Sequence, residues 1–283
     1  MQPRRLRLKH DVDPRVAIGI LTEAITAGGN IVASVPAGTG IGPDALRLSD
    51  GYVGWVEGLE RALQSLSFDF DVVEALQTNR YWRIRQLHEE PVRPTQLVEA
   101  EIRQQTGWLQ ALRDDLQLRV DRIDAARGDP VVLDTNVLLE FVPPRQVDWI
   151  SVTGAESVRL IVPLRVVEEL DVFKYDRRRQ DRAERARGIL PQLEASVGSA
   201  GVPSELRAGT TIEVLIEPSP RYRPTDADEE ILDTCRELQQ YRGGRVTLVT
   251  ADTAMRLRAQ ASRVAVLRMP SQYSRRRANA ESG

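Results

Sequence analysis

Carboxylates in the C-terminal half of the chain fall at four places where they could act together. Asp134 stands directly after a short apolar run, in Val132-Leu133-Asp134-Thr135-Asn136. Glu168 and Glu169 lie in Val166-Val167-Glu168-Glu169-Leu170-Asp171, downstream of Leu160-Ile161-Val162. Asp226 and Asp228 open Thr225-Asp226-Ala227-Asp228-Glu229-Glu230-Ile231-Leu232, and Asp252 closes Leu248-Val249-Thr250-Ala251-Asp252. Carboxylates forced together repel one another and raise their own pKa values. Such a cluster is costly unless a divalent cation neutralises it. Oxygen-only ligands suit Mg²⁺ or Mn²⁺ rather than zinc. Taken singly, each acid also has a plainer reading. An Asp after a strand often caps a helix, and Glu168-Glu169 could be a solvated helix face.

Other chemistries find few residues here. The two histidines, His10 and His88, are both in the N-terminal part. Histidine metal sites and Ser-His or Cys-His triads therefore have no histidine in the C-terminal half. A single cysteine, Cys235, rules out a disulfide framework and fits a reducing cytoplasm. It reads as a small core residue rather than a nucleophile. The glycine-rich stretch Pro36 to Gly42 lacks the Gly-Lys-Ser/Thr ending of a phosphate loop, so it reads as a plain loop. With 283 residues, 41% hydrophobic and 28% charged, the chain has a soluble globular balance and room for about two domains. No apolar run reaches the roughly 18–20 residues of a membrane span, and the basic N-terminus has no apolar segment behind it, so neither membrane nor secretion is expected. The formal charge of −2 does not announce a nucleic-acid partner. Lys9 and Lys174 are the only lysines among 39 basic residues. That arginine bias could serve bidentate phosphate contacts or reflect genome composition.

The acids must be positioned by the elements around them. Composition changes at Arg127-Gly128-Asp129-Pro130, which predicts an all-α N-terminal domain over 1–128 and an α/β domain over 129–270, with 271–283 as a disordered tail. In the first domain a helix is expected from Pro14 to Ala27, ended by Gly28-Gly29, with one or two more between Gly51 and Leu76. The clearest spans Pro94 to Ala126, where Val98, Ile102, Leu109, Leu112, Leu116 and Ile123 recur at helical spacing. Thr95 can cap its start, and Gly128 with Pro130 stops it. Its apolar stripe could pack in a bundle or meet a second copy in a homodimer. Gln105 and Arg119 on the seam favour the bundle.

In the second domain about five short apolar runs read as buried parallel strands: Val131–Leu133, Leu160–Val162, Ile212–Ile216, Val246–Val249 and Val264–Leu267. Helices are expected near Val166–Arg187, Asp228–Tyr241 and Ala254–Ala261. That alternation predicts a parallel sheet flanked by helices. Ligands of such sheets bind beyond the carboxyl ends of the strands, and all four acid groups should lie on that rim.

These blocks resemble the PIN-domain nucleases. Leu133-Asp134-Thr135-Asn136-Val137-Leu138 is similar to the family's opening signature. Ile161-Val162-Pro163 with Val166 to Lys174 is similar to its second block, Asp228-Glu229-Glu230-Ile231-Leu232 to its third, and Val249-Thr250-Ala251-Asp252 with Leu257-Arg258-Ala259 to its fourth. The resemblance covers about Pro130 to Met269. It implies a fold like that of five-prime exonucleases and hydrolysis of RNA phosphodiester bonds with Mg²⁺ or Mn²⁺. It makes Asp134, Glu169, Asp228 and Asp252 the metal-binding catalytic acids, choosing Glu169 over Glu168 and Asp228 over Asp226. It leaves Asn136, Thr250 and Asp226 as supporting groups around them, Asn136 and Thr250 having turn formation and capping as their plainer roles.

An acidic pocket needs positive charge nearby to accept phosphate. Lys174 to Arg187 carries seven basic and three acidic residues. Within it Lys174, Arg177, Arg178, Arg179, Arg182 and Arg187 are the expected contacts to a single-stranded RNA backbone. A solvated helix end is the plainer reading of the same strip. Arg275-Arg276-Arg277 is a weaker second candidate. Besides an active cytoplasmic ribonuclease, a catalytically weak PIN module for RNA binding or assembly, or the toxin of a toxin–antitoxin pair, fits the same motifs. The added N-terminal domain argues against the toxin.

Overall fold

The computed structural model describes residues 6–34, 43–86, 94–197, 202–216 and 226–275. The glycine-rich stretch 36–42, His88 and the arginines at 276 and 277 lie outside them. Packing divides the chain into two units, Met1–Arg122 and Ile123–Gly283.

The first unit is helical: α1 (Pro14–Ala33), α2 (Pro43–Leu66), α3 (Phe70–Glu74), α4 (Asn79–Arg85) and α5 (Pro94–Ala125), whose last turn belongs to the second unit. Asp13 starts α1 by accepting the Arg15 N–H, with Pro14 pre-set for the first turn. The helix does not stop at Gly28-Gly29. A Cβ on Gly28 would lie 2.8 Å from Thr106 Cγ2 and 3.0 Å from Trp55 Cζ2. The glycine permits close packing there rather than ending the helix. By length and composition α1 could also cross a membrane, contrary to the expectation that no such segment exists. In α5, Val98, Ile102, Leu109, Leu112 and Leu116 are buried within the chain itself. Gln105 is buried with them, donating to Leu76 O and Glu101 Oε1. Arg119 bonds Leu6 O and Asp115. Thr95 lies inside the first turn rather than capping it.

In the second unit, Gly128 turns the chain at φ +90, where a Cβ would press on the Val158 backbone at 2.8 Å. There follow β1 (Asp129–Leu133), α6 (Thr135–Glu140), α7 (Trp149–Thr153), β2 (Val158–Pro163), α8 (Leu164–Phe173) and α9 (Gln180–Ser196). Then come β3 (Ser204–Arg207), β4 (Thr210–Leu215), α10 (Ala227–Arg242), β5 (Thr247–Val249), α11 (Thr253–Ala261) and β6 (Ala265–Leu267). The sheet order is β3-β4-β2-β1-β5-β6, parallel except for β3 against β4. All five expected strands are present, and β3 is an unforeseen edge strand. The helix expected over Val166–Arg187 is two helices, separated by residues 174–179. The tail does not begin at 271. Phe141 O accepts from Arg275 Nε, and Phe141 pairs with Ser274.

The core lies on both faces of the central strands. Val131, Val132, Leu133, Leu160, Ile161, Val162, Leu248 and Val249 are all at most 1% exposed. Burial on both faces explains why β1 and β2 read as continuous apolar runs. The chain leaves β1 toward β2 on one side and later adds β5 on the other. The strand order therefore reverses at the carboxyl end of β1, where α/β sheets leave a crevice.

Candidate metal centre

Asp134 is the first residue past β1, and its N–H bonds to Val249 O at 3.1 Å, extending the β1–β5 ladder. The carboxylate is buried, at 3% exposure. Its Oδ2 accepts from Thr250 Oγ1 at 2.8 Å and from Asn136 Nδ2 at 3.4 Å. Burial pushes its pKa up to about 6, Asp228 and Glu169 add to the rise, and Thr250 and the Thr135 amide oppose it. Among the described residues no arginine or lysine pairs with it.

Thr250 stands one residue past β5, fully buried. Its hydroxyl donates to Asp134 and accepts the Asp252 N–H at 3.0 Å, joining the ends of β1 and α11. Asp252 caps α11, its Oδ1 accepting from the Ala254 and Met255 amides. Asp226 caps α10 by accepting the Asp228 N–H at 3.1 Å. Asp228 follows in the first turn. Its pKa is raised by partial burial and by Asp226 and Asp252, with Arg258 opposing. Capping and site geometry thus share the same acids.

The two candidates on α8 meet different partners. Glu169 Oε2 accepts from Thr135 Oγ1, in the residue next to Asp134. Glu168 is directed to Arg165, at 3.9 Å. Asn136 also accepts from Arg182 Nη2 at 2.9 Å through its Oδ1, so the guanidinium fixes which way the amide faces. Electrostatic proximity therefore runs from Glu169 through Asp134 and Asp228 to Asp252. Among the described residues, however, no three Asp, Glu, His or Cys side chains converge as a ready-made cation cage. Asp252 Oδ1 is spent on its cap, and Asp228 lies beside Arg258.

A hard divalent cation fits this donor set. The donors are all carboxylate oxygens. The innermost, Asp134, is buried beside two other acids and has only neutral groups bonded to it.

Two participants were not among the site residues named from sequence. Thr135, 3% exposed, holds Glu169. Arg258 bridges Asp226 and Asp228 at 2.9 and 3.5 Å. Both stand inside motif blocks, but which acid each would meet depends on how α8, α10 and α11 are packed. The basic strip divides as well. Lys174 pairs with Asp171 at 2.6 Å, Arg182 turns to Asn136, and Arg187 donates to Ala183 O. Arg177, Arg178 and Arg179 are exposed on the connection between α8 and α9.

The fold is thus a mostly parallel α/β sheet with the buried Asp134 at its switch point. Residues 131–269 match the family model for the PIN domain, so this part of the chain is a PIN domain, and a helical region precedes the matched segment. Domains of this family are generally nucleases and typically use divalent metals. No curated protein matches the chain.

Proposed function

We propose that this protein is a divalent-metal-dependent ribonuclease, with Asp134, Glu169, Asp228 and Asp252 holding Mg²⁺ or Mn²⁺. The observation that carries this reading is Asp134: a buried carboxylate at the sheet's switch point, kept among other acids and oriented only by neutral donors. When bound, the cation supplies positive charge for the phosphate and lowers the pKa of a water. The chain's own groups set the geometry. Thr250 and Asn136 fix the Asp134 carboxylate, and Thr135 fixes Glu169. Arg177, Arg178 and Arg179 hold the backbone of single-stranded RNA without reading its bases. We place the activity in the cytoplasm.

The test is cleavage of single-stranded RNA with Mn²⁺ or Mg²⁺ by the purified chain and by Asp134→Asn. Loss of at least about a hundredfold in rate is expected for the variant, as for removal of a group that positions charge at the reacting centre. Equal cleavage by both proteins, or cleavage unaffected by a chelator, would assign the activity elsewhere.

A further inference from the structure

The acids at this site are not treated alike. Asp134 and Glu169 receive hydroxyl and amide donors. Asp226 and Asp228 share a guanidinium: Arg258 Nη1 lies 2.9 Å from Asp226 Oδ2 and 3.5 Å from Asp228 Oδ2. Arg258 comes from α11, the helix that Asp252 caps, and meets the acids at the start of α10. Its side chain is about half exposed, at 47%, and could leave without opening the core.

A positive charge at that position does two things. It satisfies the outer acids when nothing else does, and it competes with any cation that needs Asp228. Asp226 remains anchored as the α10 cap through its other oxygen. The contact that must change for Asp228 to bind an ion is the longer one, to Arg258.

We propose that Arg258 is a built-in counter-ion that competes with the divalent cation for Asp228, holding cation affinity below what the acids alone would give. This rests on the metal-dependent reading above. Arg258 is here a positioning residue, acting on the reaction through Asp228.

The experiment is Mn²⁺ binding to the full chain without RNA, followed by the electron paramagnetic resonance signal of free Mn²⁺. The native chain is compared with Arg258→Gln and Arg258→Lys. Removing a half-exposed positive charge should tighten Mn²⁺ binding about three- to tenfold in Arg258→Gln. Arg258→Lys, which keeps the charge, should stay near native. Equal or weaker binding in Arg258→Gln overturns the competition but leaves the nuclease reading standing. So does Arg258→Lys binding as tightly as Arg258→Gln, since charge would not be the cause. No Mn²⁺ binding by any of the three would overturn both.

Discussion

Glu213 and Asp134 are both buried acids of the same sheet, and the fold treats them in opposite ways. Glu213, on β4, is fully buried and faces Arg159 from the neighbouring strand β2, with Arg159 Nε 2.7 Å from Oε1. A charge is brought inside together with its counter-charge. Asp134 is nearly as buried but meets a threonine hydroxyl and an asparagine amide. Such neutral donors aim a carboxylate without cancelling it. A buried pair that completes itself is part of the scaffold. A buried acid left uncancelled costs stability, and it persists where an external partner is to be held.

The largest effect should come from breaking the completed pair. Glu213→Gln removes the carboxylate facing Arg159 and should cost about 3–5 kcal/mol, the range for breaking a buried ion pair. Denaturant unfolding measures it. Molecules still folded should keep their specific activity, because β4 contributes none of the site acids. An unchanged midpoint would mean that Glu213 and Asp134 do not differ in this way.

The opposite sign is expected at Asp134, with a somewhat smaller effect. Its folded pKa is about 6 against an ordinary value of 3.8. The folded chain therefore keeps this proton after the unfolded chain has lost it. Stability from this group falls as pH rises through about 4 to 6 and stays lower above that. Asp134→Asn cannot ionise, so above pH 6 it should be the more stable protein by about 2–3 kcal/mol. Below pH 4 the two should converge. Parallel stability curves across this range would remove the claimed cost of the buried charge.

The same contrast shows what the sequence could reveal. Glu213 lies inside an apolar run, and nothing local marks Arg159 as its partner 54 residues away. Asp134 directly follows β1 and Asp252 stands three residues past β5, so chain order alone sets both beyond the carboxyl ends of strands. The choice of Glu169 over Glu168 came from the family pattern, and the hydrogen bond from Thr135 to Glu169 was not foreseen. β3 escaped notice because Ser204–Arg207 is short and polar, with only alternate residues partly buried at a sheet edge. Gly28 misled because local propensity reads glycine as a stop, whereas here Trp55 and Thr106 pack against its missing side chain. Arg258 stayed hidden for the reason that Arg159 did. A guanidinium's partner is settled by the packing of distant elements, not by spacing along the chain.

The central claim is that Asp134 is left uncancelled to hold a divalent cation. Unfolding of the native chain and of Asp134→Asn at pH 7.5, each with and without millimolar Mn²⁺, tests it most directly. Mn²⁺ should raise the stability of the native chain and leave that of the variant nearly unchanged, since a ligand stabilises only the fold that binds it. Equal shifts in both proteins, or none in either, would contradict it.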